Sequence, residues 1–360
     1  MKVLHLPTDV GGNSWGLSRG ERALGLQSDV LVEAPSKFGY PADIQLNLEK
    51  YPGELKYLKK LWTFFKIRNK YDIYHFNYGS SLLHRHFHPL FYQWELPFYP
   101  KRAKLFVTYN GCDARQKYPT MKRTSTAACH NENCYAGVCN SGKRDTQRQA
   151  AILKMSQYVR HMWALNPDLL YFLPQEKASF LPYTIAQSNF GFYPPKLEKK
   201  LKVVHAPTNQ AAKGSGYILA ALEKLKLKYP ELLEVILVQN MTHQHAMEVY
   251  KQADLIIDQV LIGWYGAFSV ETMSMGKPVI ARIAVDDLKF VPPAMANDLL
   301  QTMINTEPYN VYDVIEKCLH DREFLKERSQ ASRAYAQKWH HPEYVASLTK
   351  EKYESASCAG

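Results

Sequence analysis

Glu271 closes a glycine-bearing run, Gly263-Trp264-Tyr265-Gly266-Ala267-Phe268-Ser269-Val270-Glu271, that reads as a loop opening a short helix, ended by Gly276 before the apolar strand Val279 to Ile283. The first amides of a helix lack intrahelical partners and sit at the positive end of its dipole. Free amides at such a helix start make a binding place for a diphosphate. Glycine also lets a ligand approach the backbone closely. A carboxylate one turn further on repels phosphate but accepts hydrogen bonds from two adjacent hydroxyls, the pair that a ribose offers. The plainer reading of Glu271 is an acid that complements the helix dipole.

A second segment, His205-Ala206-Pro207-Thr208-Asn209-Gln210-Ala211-Ala212-Lys213-Gly214-Ser215, follows an apolar strand and opens a helix. Lys213 stands where a cation could meet a diphosphate, and its charge would count most as negative charge builds on a departing group. In the first half of the chain Asp9-Val10-Gly11-Gly12-Asn13 also lies between strand and helix, and Thr108-Tyr109-Asn110-Gly111-Cys112-Asp113 follows another strand. Asn110 can donate and accept a hydrogen bond but cannot shuttle a proton near neutral pH. Asp113 is either a base or a cap of the turn.

The elements that must hold these residues alternate regularly. Val3 to Leu6, Asp29 to Val32, Ile73 to Phe76, Leu105 to Tyr109 and Met162 to Leu165 read as buried parallel strands, with helical stretches at Ser14 to Leu24, Gly53 to Asn69 and Asp145 to Tyr158 between them. Asn166-Pro167-Asp168 reads as a helix start. Gly191, Pro194 and Pro195, with the charged run 196–200, mark a linker at 191–200. Strands then resume at Val203 to Ala206, Val235 to Gln239, Leu255 to Asp258 and Val279 to Ile283, separated by helices Gly216 to Lys226, His245 to Gln252 and Phe268 to Met275. The expectation is an α/β chain of two facing, doubly wound Rossmann-like domains, 1–190 and 201–339, with a ligand held in the deep cleft between strand ends and a final helix at about 340–360 returning to the first domain.

These residues together resemble the retaining glycosyltransferases of family 4, which have the GT-B fold. The resemblance rests on Asn209 to Gly214 with Lys213, on Ala253 to Asp258, and on Gly266 to Glu271 running into Gly276-Lys277-Pro278. It implies that Lys213 holds the donor diphosphate, that Glu271 holds the ribose, and that Gly266, Ala267 and Phe268 meet phosphate and sugar through their backbone. Asn209 and Gly12 would complete the donor site. Asn110 takes the place of a histidine near the reacting sugar, with Asp113 beside it. The pattern departs in two places: Gly263 stands where the first acid of an E-x7-E motif is expected, and no arginine accompanies Lys213, since Thr208 and Gln210 fill those positions. The implied activity is transfer from a nucleoside-diphosphate sugar, UDP-sugar favoured, to a glycan or lipid-linked saccharide, with retention and no cofactor required for catalysis. A non-catalytic nucleotide-sugar-binding subunit and a GT-B sugar-nucleotide epimerase are the alternatives.

Cys129, Cys134 and Cys139 recur at equal intervals downstream of Cys112, a set that could close a structural zinc site or simply be free thiols. Leu55 to Lys70 mixes Leu58, Leu61, Trp62 and Phe65 with Lys56, Lys59, Lys60 and Lys66, which suits a core-packed crossover or a helix lying on a membrane surface. His84, His86 and His88 alternate as on a strand face and are assigned to an aromatic, basic acceptor side. The formal charge of +11 favours anionic partners, while the absence of any zinc-finger, homeodomain or RNA-recognition pattern argues against nucleic acid. The first residues lack the apolar stretch of a secretory signal, so the expected location is the cytoplasm, including the inner face of the membrane.

Overall fold

The computed structural model describes residues 1–84, 92–184 and 190–358, and divides the chain into two compact units. The first comprises Met1–Gln116, Gly142–Ala186 and His341–Gly360, and the second Lys117–Ser141 and Gln187–His340. Residues 117–141, placed by the sequence reading inside the first domain, therefore cluster with the second unit.

In the first unit seven strands form one sheet: β1 (Lys2–Leu6), β2 (Gln27–Val32), β3 (Ile44–Gln45), β4 (Ile73–Asn77), β5 (Lys104–Tyr109), β6 (His161–Ala164) and β7 (Ala178–Phe180), in the order β3-β2-β1-β4-β5-β6-β7. Every pairing is parallel, with Val3 opposite both Ser28 and Ile73. Parallel neighbours need crossovers, supplied by α1 (Asn13–Ala23), α2 (Gly53–Ile67) and α4 (Lys143–Tyr158), while α3 (Lys117–Arg123) lies in the segment that joins the second unit. Strand order reverses between β1 and β4, so the β1–α1 turn stands at the switch point where such sheets bind ligands.

The second unit holds a five-stranded parallel sheet, β12-β11-β10-β8-β9, from β8 (Leu201–His205), β9 (Leu233–Leu237), β10 (Leu255–Ile257), β11 (Val279–Ala281) and β12 (Ile304–Asn305). Around it run α5 (Gln210–Lys213), α6 (Ser215–Lys228), α7 (His243–Gln252), α8 (Ala267–Ser274), α9 (Pro293–Thr302), α10 (Val311–His320) and α11 (Arg322–Trp339). Leu201, Val203, Ile218, Leu222, Leu225, Leu255, Ile257, Ile280 and Ile315 form its core. Each such side chain, removed from water, contributes roughly 1.5–3 kcal/mol. The linker is tied down by Asp254, whose carboxylate accepts from the amides of Lys196 (2.8 Å), Leu197 (3.1 Å) and Lys202 (2.9 Å).

The last helix, α12 (Pro342–Cys358), packs on α1 in the first unit, and the contact is close because Gly20 has no side chain: a Cβ there would lie 2.1 Å from the Pro342 carbonyl oxygen. Beneath it Glu21, fully buried, accepts from Ser28 Oγ (2.7 Å), Tyr353 Oη (3.0 Å) and Thr349 Oγ1 (3.3 Å) and meets His5 Nε2 at 2.9 Å. His75 continues the network to Tyr353 and to Thr108, both at 2.6 Å. A buried carboxylate is tolerated only when so completely hydrogen-bonded. Among the described residues no helix is long and apolar enough to cross a membrane.

Candidate nucleotide-sugar site

In the second unit the chemistry collects at the carboxyl ends of β8 and β10. Asn209 caps the single turn α5, its Oδ1 accepting from the Ala212 amide at 2.8 Å. Its side-chain oxygen therefore shapes the loop, a use the sequence reading did not give it. Gly214 ends α5 and begins α6 with φ of 75°, and a Cβ there would lie 2.6 Å from Val260, so this turn requires glycine for both conformation and space.

Lys213, thus positioned, forms an ion pair with Asp258 at the end of β10. Asp258 is buried, and its second oxygen accepts from the Gly266 amide (3.1 Å) and Ser269 Oγ (2.6 Å). One carboxylate thereby fastens the lysine loop to the start of α8. Burial works against ionisation of Asp258, but the Lys213 ammonium and these hydrogen bonds outweigh it and hold the carboxyl below the usual range. The sequence reading missed Asp258 as a site residue, although an acid directly after the apolar Leu255-Ile256-Ile257 was a usable signal.

Gly266 precedes α8, and Ala267 and Phe268 open it with partly exposed side chains. Their amides belong to the first turn, where intrahelical acceptors are lacking. Glu271 lies further along, buried with its side chain 5% exposed, and His243 Nε2 from α7 stands 3.4 Å from Glu271 Oε1. The carboxylate raises the His243 pKa. Glu271 is therefore an inward acid facing an imidazole, and His243 joins the candidate site.

Position 263 has a steric explanation. A Cβ on Gly263 would lie 2.5 Å from Ala284 Cβ and 3.2 Å from Arg282 Nη1. The loop is held there by the Ala284 amide donating to the Gly263 carbonyl (2.9 Å), and Arg282 pairs with Glu307 at 2.7 Å. No side chain fits, so the acid missing from the motif has no room in this loop. Gly276 is constrained similarly, with φ of 80° and the Phe192 ring 2.4 Å from its absent Cβ.

In the first unit the candidates gather at the carboxyl ends of β1 and β5. Gly11 and Gly12 both take positive φ, and Gly12 lies against the Tyr40 ring, 2.8 Å from where its Cβ would be. Asp9 accepts from the Ser14 amide at 2.8 Å, and burial pushes its carboxyl up to about 6. It borders a cavity of about 530 Å³ lined also by Gly11, Glu33, Tyr40, Tyr78 and Ser80. Asp113 accepts from the amides of Asn110 (3.0 Å) and Gly111 (2.6 Å), so it caps this turn. Burial outweighs those hydrogen bonds and raises its pKa to about 6, leaving a carboxylate that can exchange a proton near neutrality. Asn110 gives its backbone carbonyl to Asn166 Nδ2 at 2.6 Å, while its side-chain oxygen is buried with no hydrogen-bond partner among the described residues.

The proposed zinc ligands divide between the units: Cys112 in the first, Cys129, Cys134 and Cys139 on short turns of the second, all partly exposed. Among the described residues the side chains whose donor atoms cluster as a metal site would require are His5, Glu21 and His75, already hydrogen-bonded within the core. His84 stacks on Tyr92 with ring centroids 5.3 Å apart, whereas His86 and His88 lie outside the described residues. A groove of about 720 Å³ beside Gly214, lined by Tyr217, Lys224, Leu261 and Tyr309, does not include Lys213, Asp258 or Glu271.

No family model and no curated protein matches the chain. Solved structures do match along its whole length. Sucrose-phosphate synthase from Thermosynechococcus elongatus is 16% identical over 100% of this chain and 99% of its own, with a TM-score of 0.64. HepE from Anabaena, solved with UDP-glucose, is 13% identical over 99% and 100%, with a TM-score of 0.60. A protein from Listeria monocytogenes assigned as a UDP-N-acetylglucosamine 2-epimerase is 12% identical over 100% and 97%, with a TM-score of 0.55. With two parallel α/β units of Rossmann type, the chain has the GT-B fold.

Proposed function

We propose that this chain is a glycosyltransferase that moves a sugar from a nucleoside diphosphate, UDP favoured, to a glycan or lipid-linked saccharide with retention of configuration. The observation that carries the reading is the double use of Asp258, which holds Lys213 and the first turn of α8 together. A diphosphate bound there would meet the Lys213 ammonium and the first-turn amides of Ala267 and Phe268 at once. Glu271, further along the same helix, would accept from the ribose hydroxyls beside His243.

In the proposed reaction an acceptor hydroxyl oxygen bonds to the anomeric carbon as the bond from that carbon to the diphosphate breaks. The nucleoside diphosphate leaves with the electron pair, its charge stabilised by Lys213 and the α8 amides, and the hydroxyl proton passes to a leaving phosphate oxygen on the same face. Asp113 and Asn110 are the acceptor-side groups, Asn110 positioning and Asp113 able to take up a proton. Support for a UDP donor comes from the likeness in fold to HepE, which binds UDP-glucose.

The steric exclusion of an acid at Gly263 favours, as the second reading, a subunit that binds the nucleotide sugar without turning it over. Calorimetry with UDP, ADP, GDP and their sugars, followed by turnover across an acceptor panel, separates the two. Glu271→Ala should weaken nucleotide binding by about 10-fold or more, the worth of charged hydrogen bonds. Unchanged binding would remove the ribose contact. Binding without transfer or hydrolysis would favour the subunit, and exchange between epimers the epimerase.

A further inference from the structure

The helix α2 is apolar on two opposite sides. Its inward side is set by Thr63, Phe64 and Ile67, which are 3%, 1% and 6% exposed. Lys60, on that side, pairs with Glu33 at 2.6 Å. The other apolar set, Leu55, Leu58, Trp62 and Phe65, recurs at spacings of three and four residues and so forms one stripe along the helix. At about 100° per residue that stripe centres on the direction opposite Phe64 and Ile67. It faces water: Leu55 is 51%, Leu58 57%, Trp62 55% and Phe65 58% exposed. Phe98, 53% exposed, is linked to its end through Arg68, which donates to the Phe98 carbonyl at 3.2 Å and lies 5.4 Å from the Phe65 ring centroid.

A crossover helix needs only the inward side, so packing gives no reason for the outward one, and a contiguous exposed apolar patch marks a contact surface. The flanking charge identifies what it meets. Lys59 and Lys66 lie beside the stripe, 5.1 Å and 4.7 Å from the Trp62 ring centroid, and Glu54 is the sole acid of the helix. A second copy docked through this face would set lysines against lysines. A layer with an apolar interior and anionic headgroups matches both features, since the apolar ridge enters while the ammonium groups stay at headgroup level.

We infer that α2 is a membrane-surface helix by which the first unit seats on anionic phospholipid, with Leu55, Leu58, Trp62 and Phe65 inserted and Lys59, Lys66 and Arg68 against the headgroups. Aromatic rings suit the interfacial depth, and each basic residue near such a surface strengthens binding roughly fivefold. This assignment does not depend on the donor chemistry.

The test is flotation of the full chain with phosphatidylcholine vesicles and with vesicles containing one third phosphatidylglycerol. The expected result is co-flotation with the anionic vesicles, about tenfold or more above the neutral ones and weakened by salt. Trp62→Ala with Phe65→Ala should abolish it, leaving the melting temperature and nucleotide binding as in the wild type. Lys59→Glu with Lys66→Glu should remove the preference for anionic lipid, and it serves as the independent arm if the aromatic variant fails to fold. Failure of the wild-type chain to float, or flotation of both variants like the wild type, would overturn the inference. So would a dimer by light scattering that the aromatic variant dissolves without any difference in lipid binding, because the face would then belong to a second copy.

Discussion

Lys213 and Asp258, separated by 45 positions in sequence, meet as a partly buried ion pair, and the same aspartate accepts from Gly266 and Ser269. The lysine proposed for the diphosphate is thus held in place before any ligand arrives. An anionic ligand has to share this ammonium with Asp258, which keeps its own hydrogen bonds to α8.

Lys213→Ala should therefore affect both folding and chemistry. The side chains of Asp258 and Lys213 are 0% and 14% exposed, so removing the cation leaves a desolvated carboxylate. The expected loss of stability is about 3 kcal/mol, read by denaturant unfolding. Asp258→Asn removes the charge instead, and should lose less stability than Lys213→Ala while freeing the ammonium. Nucleotide affinity at low salt is expected to fall in the first variant and to persist in the second. An equal loss of affinity in both would mean that the intact Lys213–Asp258 pair, rather than the ammonium alone, is what the ligand needs.

Gly263→Glu would restore the motif acid on paper, and the structure predicts that it harms the protein. The new Cβ would collide with Ala284 Cβ, and overpacking of this kind costs about 1–3 kcal/mol. Pairing it with Ala284→Gly should recover much of that loss in a thermal melt. A single variant as stable as the wild type would show that the loop shifts readily and that sterics do not explain the glycine.

Two groups make stability fall with rising pH, in different windows. His243 has its pKa raised by Glu271, so its contribution to stability is complete below the unfolded histidine value and is lost as pH rises through the higher folded value. His243→Gln should flatten this decline above about pH 6.5. Asp113, raised to about 6, binds its proton more tightly in the folded chain, so stability falls between its unfolded pKa and about 6. Asp113→Asn should remove that lower window while leaving the higher one, in unfolding curves recorded across pH.

The sheets were readable because each central strand is a short run of β-branched and apolar residues between turn signals. Val3 to Leu6, Ile73 to Phe76 and Leu105 to Tyr109 fall within β1, β4 and β5. Three of the four edge strands, Ile44–Gln45, Ala178–Phe180 and Ile304–Asn305, are too short to show a period and were not foreseen. Asn166-Pro167-Asp168 does start a helical turn, but a 3-10 one over Pro167–Phe172, with Asp168 turned to a bidentate pair with Arg115 at 2.6 and 2.9 Å. The candidate residues Lys213, Gly266 and Glu271 stood out because they lie in two strand–loop–helix segments, 205–215 and 263–278, that resemble family 4. Their partners Asp258 and His243 did not, since long-range pairing leaves no local trace. On α2 the spacing of Leu58, Leu61, Trp62 and Phe65 was visible in the sequence, yet packing turned Phe64 and Ile67 inward and left Leu58, Trp62 and Phe65 exposed.

The seating of α12 on α1 bears on how this chain is made. During synthesis the first unit's sheet is complete by Phe180, but Glu21, His5 and His75 wait for Thr349 and Tyr353, which emerge only after the whole second unit. Until then a carboxylate destined for the interior remains without its late partners, and the groove that accepts Pro342 and Ala346 against Gly20 stays open. Domains usually mature in order from the amino end. Here the first-begun unit is the last to be completed, because α12, which covers Gly20 and reaches Glu21, follows the whole second unit in sequence.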